Sequence, residues 1–75
     1  MRVQDLDRIE SNPDVLSGQP VIKGTRVPVY VLVEAIAEGD SIEELRAAYP
    51  FLEAADIRHA LRFAARMSQV EYAEA

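Results

Sequence analysis

Arg58, Arg62 and Arg66 recur every fourth residue, and His59 sits among them. On a helix that spacing stacks the guanidinium groups in one row, where like charges cost about 0.2–0.5 kcal/mol per pair. A row of this kind is tolerated where something negative faces it. The candidates are phosphate, an acidic partner surface, or Glu34 and Glu38 of the same chain or of a second copy. Arg26 and Lys23, near the middle of the first half, extend the same basic surface if they point the same way. These five cations are the candidate contacts to a partner or to nucleic acid.

Other chemistry is poorly supplied. Acid–base or nucleophilic catalysis needs a poised group within hydrogen-bond reach of a partner. His59 is the single histidine, and there is no cysteine. Glu43-Glu44 and the Glu53/Asp56 pair read as helix-end carboxylates in water, and Gly18 and Gly24 miss the phosphate-loop spacings. One histidine with scattered carboxylates does not make a tetrahedral metal set; Asp56 and His59 across one turn are the nearest approach, and a surface histidine is the plainer reading. The expectation is a non-enzyme without catalytic, metal or cofactor residues.

The charge balance bears on the partner. Thirteen acidic against eight basic residues give a net charge of −5, which disfavours loose, charge-driven binding to nucleic acid or anionic lipid. From Ile57 to Val70, however, there is no acid at all. The N-terminus lacks the apolar core of a signal peptide, and no run approaches the roughly 20 apolar residues that span a bilayer. A cytoplasmic location without membrane contact is expected.

The elements that must position these residues follow from turn chemistry and periodicity. Gly18 to Val29 holds two of the three glycines and two of the four prolines. Val21-Ile22 and Thr25–Val27 flank Lys23-Gly24, which predicts a small hairpin closed by Pro28; an ordered loop leading into a helix is the plainer alternative. Before it, Asp7–Glu10 reads as a short strand with Leu6 and Ile9 inward and Asp5, Asp7, Arg8 and Glu10 in water. Ser11-Asn12-Pro13-Asp14 is a turn. The exposed edges of such an arm invite pairing with another chain.

Three helices complete the reading. The first starts near Val29, places Val29, Leu32, Val33 and Ile36 on one face, and stops at Gly39. Ser41-Ile-Glu-Glu predicts a capping box and a second helix from Ile42 to about Tyr49, ended by Pro50. Phe51 and Leu52 fill the turn. The third runs from Glu53 or Ala54 to about Gln69, with a stripe of Ile57, Ala60, Leu61, Ala64 and Met67 or Ser68. The chain thus predicts one domain over 1–75: a β-arm and hairpin over 1–28, a three-helix bundle over 29–69 and an acidic tail over 70–75. At 75 residues a lone copy buries only about 60% of its unfolded surface, so a homodimer is expected.

Four blocks in order carry a resemblance: Gly18-Gln-Pro-Val-Ile-Lys-Gly-Thr-Arg-Val-Pro-Val, Gly39-Asp-Ser-Ile-Glu-Glu-Leu, Tyr49-Pro-Phe-Leu and Asp56-Ile-Arg-His-Ala-Leu. Over roughly Ile9 to Ala65 the chain resembles the domain-of-unknown-function family numbered four hundred and thirty-three. The resemblance implies a mainly α, helix-turn-helix-like (homeodomain-like) bundle with an N-terminal β-arm, a homodimer, and an antitoxin role beside a PIN-type ribonuclease toxin. It supplies no binding residues.

Against simple DNA reading stands the start of the third helix. There a helix-turn-helix aims side chains at base edges, and here the positions are Glu53, Ala54, Ala55 and Asp56. Two carboxylates oppose docking on phosphate. The arginine row and the tail Glu71-Tyr72-Ala73-Glu74 fit a nuclease mouth better, by reaching its clustered carboxylates or its positive rim. Three functions remain open: an antitoxin-like component that neutralises a PIN-type toxin and binds its own promoter, a DNA-binding regulator with no toxin partner, and a purely structural interaction module.

Overall fold

A computed structural model describes residues 7–69; Leu6, expected to point inward, and the acidic tail 70–75 lie outside the described residues. The elements run β1 (Ile9–Glu10), β2 (Val21–Ile22), α1 (Val29–Ala37), α2 (Ile42–Ala48) and α3 (Ala54–Ser68). The architecture is mainly helical with a small antiparallel ribbon, as the residue pattern predicts.

β2 is the middle of that ribbon. On one side it pairs antiparallel with β1, with Ile9 opposite Ile22 and Glu10 opposite Val21. On the other it meets the chain returning from the turn: the Ile22 N–H donates to the Val27 carbonyl at 3.0 Å, and Val21 bridges Pro28. The expected two-residue hairpin step is instead a four-residue loop, Lys23–Arg26. Thr25 enlarges it, since its hydroxyl donates to the Ile22 carbonyl at 2.8 Å and accepts the Val27 N–H at 3.0 Å. Gly24 takes φ +78°, a left-handed value that a side chain resists.

Each helix begins and ends for a local reason. Pro28 stands at the N-cap of α1 with φ −69°, and the Val29 N–H returns to the Pro20 carbonyl at 3.0 Å. At the far end the Gly39 N–H donates to Ile36 and the Asp40 N–H to Ala35, both at 3.0 Å, with Gly39 at φ +108°. That is the Schellman closure, which needs a residue without Cβ strain at this point. The capping box of α2 forms: the Glu44 N–H donates to Ser41 Oγ at 3.0 Å, and the Ser41 N–H to Glu44 Oε1 at 2.7 Å. Tyr49, ahead of Pro50, leaves helical geometry at φ −125°, ψ 79°.

The core lies where the ribbon, α1, α2 and α3 converge. Ile22, Leu32, Leu52 and Ile57 are fully buried there, with Val27, Val29, Leu45 and Ala60 around them. Burying a side chain of this size stabilises the fold by roughly 1.5–3 kcal/mol. Two expectations about this core need correction. Phe51 does not fill the turn: Leu52 takes the one buried place between α2 and α3, and Phe51 stays 61% exposed, edge-on to Tyr49 with ring centroids 6.2 Å apart. Met67 is not part of the buried stripe, being 68% exposed. Ten residues beyond Ile57, a helical repeat of 3.6 has turned it about 80° away from the core.

Candidate interaction surface

The start of α3 is arranged differently from the pair of solvated carboxylates expected there. Asp56 is only 8% exposed. Its Oδ2 accepts the Glu53 N–H at 2.8 Å, which satisfies one of the donors that a helix N-terminus leaves open. Its Oδ1 accepts from Arg8 Nη1 at 2.9 Å, and the same Arg8 nitrogen donates to Glu53 Oε1 at 2.8 Å. Arg8, expected in water, therefore bridges two acids lying 45 and 48 residues further along the chain. Asp56 chiefly, and Glu53 after it, raise the Arg8 pKa above the ordinary arginine value. Because the folded-state pKa is raised, Arg8 keeps its own charge through the ordinary arginine range, and its side of the contribution is given up only as pH rises through that raised value.

The residue before Arg8 makes a second link. Asp7 Oδ1 lies 3.6 Å from His59 Nδ1, a buried ring nitrogen with no hydrogen-bond partner among the described residues. The Lys23 N–H donates to the Arg8 carbonyl at 2.8 Å, and the Gly24 N–H to Glu10 Oε2 at 3.1 Å. The arm is thus held to the ribbon by backbone and to α3 by charge.

The five cations singled out by spacing sit on two different elements. Arg58 and Arg62 are exposed on the outer face of α3, and Arg66 is half-buried on its last turn. Neither Arg58 nor Arg66 pairs with Glu34 or Glu38 among the described residues, and Arg66 Nε is buried without an acceptor. Lys23 and Arg26 are exposed on the ribbon loop instead. Arg26 shares an open cleft with Glu10, Val15, Thr25 and Phe51.

An apolar concavity was not foreseen. It is a groove of about 580 Å³ between α1 and the second half of α3, walled by Val29, Tyr30, Val33, Phe63, Ala64 and Met67. Tyr30 is 57% exposed on its rim. One signal was available: eight of the nine residues in Val29-Tyr-Val-Leu-Val-Glu-Ala-Ile-Ala are apolar. A helix apolar nearly all round needs covering on more than one side. Here Val29 and Leu32 are buried by the chain itself, and Tyr30 is left on the open side. Among the described residues, no group of acids and histidine is arranged to hold a metal ion, and no helix is long and apolar enough to cross a membrane.

Comparison with known proteins agrees with this architecture. Residues 9–64 match the family described as Protein of unknown function (DUF433), and the chain belongs to that family. It is 46% identical over 56 residues to the uncharacterized protein y4eO of Sinorhizobium fredii; the match takes in 75% of this chain but 25% of that relative. The crystal structure of a DUF433 member from Anabaena variabilis superposes with a TM-score of 0.75 at 38% identity. That match covers 85% of this chain and 64% of the other. The chain therefore spans a quarter of the length of one relative and under two thirds of the other.

Proposed function

We propose that this DUF433 member is the antitoxin-like component of a type II toxin–antitoxin pair, binding a PIN-type ribonuclease in the cytoplasm as a homodimer and also occupying its own promoter. The carrying observation is the Arg8 bridge. A helix-turn-helix protein reads bases with the first turn of its second helix. Here that turn holds Glu53 and a nearly buried Asp56, both engaged by Arg8. What α3 offers outward in its first half is Arg58 and Arg62, and its second half walls an apolar groove. Exposed arginine and open apolar surface on one helix suit a protein partner, where such residues are common anchors.

In this reading Arg58 and Arg62 approach the acidic, metal-holding centre of the nuclease, and promoter contacts are made to phosphate rather than to bases. Lys23 and Arg26 form a separate patch for the same purposes. The test is co-expression with the product of the adjacent gene. The two proteins should co-purify and RNA cleavage should be suppressed, while Arg58→Glu with Arg62→Glu should leave the nuclease active. A neighbouring product that neither binds nor cleaves RNA removes the reading.

The alternative, a regulator with no toxin partner, draws on the same exposed arginines. Binding to upstream DNA with a defined footprint and steep salt dependence, unaccompanied by any toxin contact, favours it.

A further inference from the structure

The arm meets α3 through two side chains, and one of the two contacts is unfinished. Arg8 reaches Asp56 and Glu53 at 2.9 and 2.8 Å. One residue earlier, Asp7 Oδ1 stops 3.6 Å from His59 Nδ1, too far for a hydrogen bond. That nitrogen is buried and has no hydrogen-bond partner among the described residues. A buried polar atom left unpaired is costly, and the exposed Asp7 carboxylate is the acceptor within reach.

The other charges packed about α3 are engaged elsewhere or do not pair with the ring. On the arm, Arg8 is held by its two acids and Glu10 accepts the Gly24 N–H. On α3, Asp56 is held by Arg8 and by the Glu53 N–H, and Arg58 and Arg62 stand on either side of His59 in sequence. Of the acids on the other helices, Glu34 and Glu38 of α1 and Glu43 and Glu44 of α2, none pairs with His59. The remaining cations are Arg46 of α2 and Lys23 and Arg26 of the ribbon loop.

A neutral imidazole carries one N–H, on either nitrogen, whereas the protonated ring carries both and a positive charge. We propose that His59 and Asp7 form a proton-operated latch. On protonation the Nδ1–H engages the Asp7 carboxylate and fastens the arm to α3; on deprotonation this tie is given up. Arg8 stays charged in both states, so it keeps the arm seated while the latch sets how often the arm lifts. Lifting takes β1 off Val21–Ile22 and frees the backbone of that strand for another chain. The inference does not depend on the antitoxin reading.

Hydrogen exchange on the full chain tests it. The reporter is the Lys23 amide, which donates to the Arg8 carbonyl at 2.8 Å and so opens with the arm. Its protection is the intrinsic exchange rate divided by the observed rate at the same pH. Between about pH 8 and about pH 5.5 histidine takes up a proton while carboxylates stay ionised. Over that interval the protection should rise about two- to fivefold as pH falls, the scale of one partly exposed ion pair. Amides of α1 should not follow it. Asp7→Asn, which keeps the shape and removes the charge, should abolish the rise, as should His59→Gln, with circular dichroism showing that each is folded. If His59→Gln does not fold, Asp7→Asn alone decides. Flat protection in the wild type overturns the latch, and so does a rise that survives in Asp7→Asn. A rise shared equally by α1 also overturns it, since the proton then acts on the whole domain.

Discussion

The two halves of α3 differ in what their carboxylates and apolar side chains meet. In the first half every acid has an answer inside the chain: Asp56 caps the helix and holds Arg8, and Arg8 also holds Glu53. Two of the apolar residues there, Ile57 and Ala60, are fully buried. In the second half Arg66 Nε lacks an acceptor, Met67 stands in solvent, and Phe63 walls an open groove. A helix under uniform demands would not be built this way. The first half is held by contacts within the chain, and the second leaves Met67 and the wall of the groove open.

That contrast can be broken by substitution. The largest effect should come from Ile57→Ala, which removes buried methyl groups and should lower the unfolding free energy by about 2–5 kcal/mol in urea titrations. Met67→Ala, on the same helix, should stay within about 0.5 kcal/mol when measured in dilute protein. Equal costs would show that both halves of the helix contribute alike to the core. Next comes Asp56→Ala, which deletes the cap and one end of the bridge and should cost at least about 1 kcal/mol, against almost nothing for Arg58→Ala. The smallest effect is local. Arg8→Gln should speed hydrogen exchange at the Lys23 amide, which reports on the arm, and leave the amides of α1 protected. Unchanged exchange at Lys23 would mean that backbone pairing alone holds the arm.

Much of the fold could be read from neighbouring residues because its decisive interactions are short in sequence. Ser41 and Glu44 cap α2 across three positions, Gly39 closes α1, and Pro50 ends α2. The Arg8 bridge could not be read in this way. No periodicity links a residue in an arm to acids more than forty positions away, and the pair Glu53/Asp56 looks the same on paper whether solvated or clamped. The arginine spacing placed the row on α3 but could not show how Lys23 and Arg26, on the ribbon loop, point. The groove was half-legible: the composition of α1 demanded a second covered side, but which part of α3 would form the opposite wall depends on how the two helices cross.

The ribbon, finally, limits how this domain can aggregate or exchange parts. Fibrils and swapped strands nucleate where backbone donors and acceptors stand unused along an open margin. Val21–Ile22 has Ile9–Glu10 on one flank and Val27–Pro28 on the other, and proline brings no amide hydrogen to the latter. Only the outer border of Ile9–Glu10 is left among these segments, two residues long. A template that short gives an incoming strand very few hydrogen bonds to set against the ordering it would require.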